Sequence, residues 1–324
     1  MLLRLFPSIA RPFSVSSRSR LYCASREMGQ DSSECEVIQV KRRATLRLCN
    51  VSSYATEILE IRADDPTLHV VVIPGNPGVV LFYKEFLQSL YELLGGTASV
   101  TAVGHISQTK KSWEHGRLFS LQEQINHKMD VIKQELQNNE VPILLVGHSI
   151  GSYISVEMFK RSPEKVKYCI GLYPFLALNL QSRKQYIIGK IAESRILCVV
   201  LSFIVALLGL LPIRLLRLIV TTFLGKFWSA TAVDAVCSHL VKLSETPDWA
   251  FMRENQHKIA FLFGSDDHWG PLQMFEEISK QVPDAALSIE REGLTDHGFC
   301  CTEAGSLWVA EHVAKLIKNQ KASQ

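Results

Sequence analysis

The sequence predicts a doubly wound α/β domain built on a mostly parallel sheet. Three observations carry this expectation. Short apolar runs recur along the chain and end at turn residues, as in 68–73, LHVVVI, followed by Pro74 and Gly75. Such runs suit strands buried on both faces, the usual condition of a parallel sheet. Between them lie segments whose apolar residues repeat with helical spacing, and the two patterns alternate, as βαβ winding requires.

In chain order, 37–41, 44–48 and 57–62 alternate apolar and polar residues and read as antiparallel strands. The run 68–73 follows. Leu81, Phe82, Phe86, Leu87, Leu90 and Leu94 then share one helical face, which Gly95 and Gly96 stop. Another strand is expected at 99–103. Ser120 followed three residues later by Glu123 is a capping box, opening a helix to about residue 137. Pro142 introduces the strand 143–146, and a helix follows over 153–160. Further strands are expected at 166–172, 258–263 and 286–290, and helices at 272–280 and 305–318. The domain should cover 36–320, interrupted at 178–245 by a segment with no sheet pattern.

Composition narrows the function. The 324 residues are 47% hydrophobic, enough for a sizeable core, and the net charge is +3. The first 30 residues hold five arginines against Glu27 alone, a local +4 that leaves the remaining chain at −1. A nearly neutral body has no electrostatic footprint for nucleic acid. Eight scattered cysteines without CxxC or metal-like spacing point to reduced thiols. The adjacent Cys300 and Cys301 read as small apolar residues. No metal or cofactor is expected. Residues 1–35 form a basic leader. Its first 27 residues, rich in Arg and Ser, have the composition of a mitochondrial or plastid transit peptide or of a disordered basic tail.

The chemistry is concentrated at Gly147-His148-Ser149-Ile150-Gly151. G-x-S-x-G between a strand and a helix is a nucleophile elbow, in which a tight turn lifts the serine hydroxyl above the sheet. A helix N-cap would explain Ser149 but not both glycines. A serine needs a base, and the base needs an orienting acid. In elbow proteins these follow in the order Ser, acid, His. His297 stands in the loop after the last strand and is the candidate base, with Gly298 beside it for close backbone approach. Asp267, third after Gly264, is the candidate acid and Asp266 its rival. No carboxylate follows 166–172 before Glu193. His148 and His268 read as supporting or capping residues. The candidate oxyanion donors are the backbone N–H groups of Ile150 and Asn76, the latter in Pro74-Gly75-Asn76-Pro77-Gly78. Most α/β-hydrolases carry His-Gly where this chain has Pro74-Gly75.

Together, IPGNPG at 73–78, LQEQINHK at 121–128, GHSIGSY at 147–153 and D-x-W-x-P at 267–271 resemble the lipid droplet-associated hydrolases. The resemblance covers about residues 65–320. It implies an α/β-hydrolase fold and a serine lipid esterase at lipid droplets and the endoplasmic reticulum, acting on neutral-lipid or sterol esters. It assigns Ser149, Asp267 and His297 to the catalytic roles. The Arg- and Ser-rich leader is not part of the family pattern.

Residues 196–213 form an uncharged run of 18. A single membrane span would separate Ser149 from Asp267 and His297, so the chain must return to the side it left. Gly209 and Pro212 suit a turn there. Over 214–227, Arg214, Arg217 and Thr221 share one helical face and Leu215, Leu218, Ile219 and Phe223 fill the rest, as in an interfacial helix. From Arg183 to Lys226 there are seven basic residues and one acid, a balance that favours anionic lipid headgroups. The expectation is that 196–227 touches a lipid surface. A soluble cap over the site is the alternative. On sequence alone, a soluble carboxylesterase or thioesterase and a droplet scaffold with little turnover stay open.

Overall fold

The computed structural model describes residues 42–106, 119–136, 140–179, 185, 246–267 and 269–322. The expected strand at 37–41, the leader and the apolar run 196–227 lie outside the described residues, as does His268. Eight strands form one sheet: β1 (Thr45–Val51), β2 (Tyr54–Ile61), β3 (Leu68–Ile73), β4 (Ala98–Val103), β5 (Ile143–His148), β6 (Val166–Leu172), β7 (Ile259–Gly264) and β8 (Ala286–Glu290). Their order is β1-β2-β4-β3-β5-β6-β7-β8. The pairs β1/β2 and β2/β4 are antiparallel, and every pair from β4/β3 to β7/β8 is parallel.

Alternation along the central strands divides the core in two. On one face, Val71 and Ile73 of β3 and Leu145 of β5 meet α2 (Leu121–Glu135), α3 (Ile150–Arg161) and α5 (Leu272–Gln281) through Ile125, Ile154, Phe159 and Ile278. On the other, Val70, Val72, Leu144 and Val146 meet α1 (Lys84–Leu93) and α6 (Glu303–Ala322) through Phe86, Leu90, Val309 and Val313. Both faces of β3 and β5 are therefore apolar, which is why their sequences read as unbroken runs. A short helix not expected from the sequence, α4 (Trp249–Glu254), leads towards β7. Asp248 caps it by accepting from the Phe251 N–H.

The chain ends its helices as the sequence indicates. The Ser120 hydroxyl accepts from the Glu123 N–H while the Glu123 carboxylate accepts from the Ser120 N–H, so the capping box is closed. Gly95 and Gly96 follow α1 with φ of 67° and 70°, a region glycine enters without a Cβ penalty. The first turn before α1 is instead a 3-10 turn, Val80–Tyr83. It places Tyr83, which is buried, beneath the C-terminal edge of the sheet.

Candidate active site

All the candidate groups stand at the C-terminal ends of parallel strands, the edge where open α/β sheets gather ligands. β5 ends at His148, and Ser149 follows with φ 53° and ψ −121°. A left-handed non-glycine residue is strained, and backbone bonds to the neighbouring strand and loop hold this one. The Ser149 N–H donates to Leu172 O at 3.0 Å, and Ser149 O accepts from the Phe175 N–H at 3.1 Å. The flanking glycines are required by packing. A Cβ on Gly147 would lie 2.2 Å from Gly151 O, and one on Gly151 would lie 2.1 Å from Ile73 O. The helix can thus start directly against β3, and the hydroxyl of Ser149 is left at the mouth of the sheet.

The loop after β8 brings His297 to this hydroxyl. Its Nε2 lies 3.0 Å from Ser149 Oγ, and its Nδ1 lies 2.9 Å from Asp267 Oδ2. With Nδ1–H donating to the carboxylate, Nε2 is free to accept from the serine. Asp267 reaches the ring from the loop after β7, with its side chain only 1% exposed. Burial would raise its pKa, but the bond and charge of His297 and the N–H groups of Trp269 and Gly270 outweigh it, and the carboxyl sits below its ordinary value. The Trp269 N–H donates to Asp267 Oδ1 at 2.9 Å. The neighbouring Asp266 is exposed and has no bond to His297 among the described residues.

The glycine beside the base does something different from what the sequence suggested. A Cβ on Gly298 would approach only the Asp296 carboxylate, at 3.3 Å, while the Gly298 N–H donates to that same Asp296 at 2.7 Å. The conformational demand in this loop falls on Gly293, with φ 68°.

The turn after β3 closes the site. Gly75 O accepts from the Gly78 N–H at 2.7 Å, across a cis Asn76–Pro77 bond. Gly75 approaches so closely that a Cβ there would meet Ser149 Cβ at 2.9 Å. This sets Asn76 beside the nucleophile. Ile150 is the first residue of α3, where backbone N–H groups point out of the helix end.

One feature of the site was not legible. Tyr83 Oη lies 2.6 Å from His148 Nδ1 and accepts from the Gly75 N–H at 2.9 Å, and His148 Nε2 lies 2.8 Å from His297 O. Tyr83 falls within the segment expected as the first turn of a helix, 65 positions away from His148. No local pattern links them. Burial first, and then the charge of His297, pushes the pKa of His148 down to about 3.

The molecule is therefore an α/β-hydrolase in fold. Solved structures agree on the fold: a haloalkane dehalogenase DbeA from Bradyrhizobium elkani USDA94 aligns at 13% identity over 87% of this chain and 100% of its own, with a TM-score of 0.63. A carboxylesterase of Nitrososphaera gargenis aligns at 16% identity over 84% and 100%, with a TM-score of 0.59. The chain belongs to the lipid-droplet associated hydrolase family, whose pattern matches residues 66–300. Relatives carrying the name lipid droplet-associated hydrolase include one from Gallus gallus, 27% identical over 78% of this chain and 87% of its own, and one from Homo sapiens, 25% identical over 72% and 80%. A third, from Dictyostelium discoideum, is 24% identical over 70% and 81%.

Proposed function

We propose that the protein is a serine esterase that hydrolyses a neutral-lipid or sterol ester at the surface of a lipid droplet or the endoplasmic reticulum. The observation that carries the reading is the continuous line of contacts from Asp267 through His297 to Ser149. Ser149 attacks the ester carbonyl as its proton passes to His297 Nε2. Asp267 holds the ring in the tautomer that can accept that proton and stabilises the imidazolium formed. The negative charge on the carbonyl oxygen is taken up by the N–H groups of Ile150 and Asn76. His297 then returns the proton to the leaving alcohol, and water releases the acyl group by the same steps in reverse order.

The lipid class rests on family membership together with the sequence of 196–227, which would bring a greasy, cationic segment to a lipid surface. A labelled fluorophosphonate followed by a panel of lipid esters tests the reaction. The wild-type protein is expected to be labelled and Ser149→Ala not to be, with both folded by circular dichroism. Equal labelling of the two would remove the serine-esterase reading.

A further inference from the structure

We propose that Tyr83 and His148 form a positioning bridge that ties the oxyanion turn to the loop of the base, and that this bridge sets the turnover of Ser149. The inference rests on the serine-esterase reading and adds two residues to it. Neither touches the reacting atoms. Both act through the backbone groups they hold.

The direction of every bond in the bridge is fixed by its ends. The Gly75 N–H can only donate, so Tyr83 Oη accepts from it at 2.9 Å. The phenol proton is then free to go to His148 Nδ1, at 2.6 Å. A ring nitrogen that accepts leaves its proton on the other nitrogen, and Nε2–H donates to the carbonyl of His297 at 2.8 Å. The chain ends on an acceptor with no donor left over. An imidazolium at 148 would carry a second ring proton, on Nδ1, which could then no longer accept from the phenol. The bridge therefore needs neutral His148, which is also the form its burial favours. His148 is a strut and carries no proton in the reaction.

The strut is stiff. His148 and Tyr83 are 5% and 2% exposed. Phe299 packs against both rings, with centroids 5.0 Å from His148 and 6.2 Å from Tyr83. The Tyr173 ring lies 6.5 Å from His148 and stacks on Phe299 at 5.9 Å. The two ends of the bridge matter most. One end is the residue before Asn76, and the other is the backbone of the base itself. Four places in the chain, 75, 83, 148 and 297, are thereby held in one geometry around Ser149. A base or an oxyanion donor displaced by a fraction of an ångström loses much of its effect.

A buried polar cluster that only satisfied its own hydrogen bonds would affect melting and leave the rate of the folded protein alone. Three variants separate the two roles. Tyr83→Phe removes the bonds of the phenol to Gly75 and His148. His148→Asn keeps an acceptor near Tyr83 but cannot reach His297 O. His148→Gln places an amide N–H where Nε2 was. Each is compared with wild type by the second-order rate of fluorophosphonate labelling and by kcat and KM on p-nitrophenyl butyrate, well below its own melting temperature. Tyr83→Phe and His148→Asn are expected to label and turn over about tenfold more slowly with KM unchanged, and His148→Gln to regain most of that loss. The double variant Tyr83→Phe/His148→Asn should lose no more than the worse single one, because the residues act as a unit. If Tyr83→Phe does not fold, the His148→Asn and His148→Gln pair carries the same comparison. Variants that melt earlier yet label at the wild-type rate would overturn the bridge alone, as would losses that multiply in the double variant. A wild-type protein not labelled at Ser149 would instead remove the serine-esterase reading and the inference with it.

Discussion

Two adjacent aspartates, Asp266 and Asp267, compete for one role, and a single residue of chain separates a buried side chain from an exposed one. Asp267 Oδ2 lies 2.9 Å from His297 Nδ1, and its other oxygen is occupied by the Trp269 N–H. Asp266 turns to solvent. Replacing Asp267 with Asn would exchange an acceptor for an amide and invert the favoured tautomer of the base, while His297→Gln would remove the proton acceptor. Each is expected to lower esterase kcat by at least about a hundredfold. Asp266→Asn should stay within about twofold, since an exposed carboxylate is screened by solvent. Steady-state kinetics on one ester decides the point, and a larger loss for Asp266→Asn than for Asp267→Asn would reassign the acid.

At the scale of elements, most of the sheet could be read from the chain because β3, β5 and β7 are apolar on both faces and cannot be mistaken for surface. The elbow was legible for a related reason: packing forbids a Cβ at Gly147 and Gly151, so the glycines stand at fixed places. Short elements were less legible. α4 has six residues, too few for a periodicity, and the 3-10 turn that positions Tyr83 looked like the first turn of α1. The bridge through His148 depends on contacts across 65 and 149 positions, which no local pattern encodes. The role proposed for 196–227 rests on its sequence. β6 ends at Leu172 on the catalytic edge, since Leu172 O binds the Ser149 N–H. The chain after β6 therefore leaves the sheet beside the nucleophile, where the Phe175 N–H donates to Ser149 O. An apolar run with flanking cations, falling between β6 and β7 in the sequence, would hold the protein against a lipid surface. Deleting 196–227 is expected to release the protein from purified droplets, and Leu207→Asp/Leu211→Asp to do the same with less risk to the fold. Removing residues 2–27 should have no such effect, because a basic tail without a long apolar run is readily screened by salt. Retention of both 196–227 variants on droplets after a high-salt wash, with fluorophosphonate labelling intact, would show that another surface makes the contact.

At the scale of the whole molecule, the buried bases are expected to make folding stability rise with pH. His127 sits between Lys128 Nζ at 3.2 Å and Thr56 Oγ1 at 2.8 Å, and Lys128 also donates to Gly104 O at 2.7 Å. Burial first, then the charge of Lys128, pushes the pKa of His127 down to about 2, and burial holds Lys128 down to about 7. His148 is held at about 3, and burial also lowers His69 and His312. In the unfolded chain each histidine takes up a proton below about pH 6.5. The folded state does not, so the unfolded state binds more protons over this window and stability rises with pH. The contribution of His127 and His148 is complete above about pH 6.5 and is lost as the pH falls towards their folded values, by up to about 1.4 kcal/mol per pH unit for each. Lys128 acts in the same direction at higher pH: between about 7 and 10.5 the unfolded chain holds a proton that the folded one has released. Asp267, depressed below its ordinary value, adds a loss only at more acid pH, as the pH falls through that lowered pKa. Urea unfolding midpoints should therefore drop steadily from about pH 7 to about pH 5, in a range where the carboxylates contribute little. His127→Gln, which removes one of the titrating bases away from the Ser149 contacts, should flatten that slope while lowering stability at neutral pH. An unchanged midpoint across the range, or a slope in His127→Gln equal to that of the wild type, would mean that these histidines are hydrated and free to protonate within the fold.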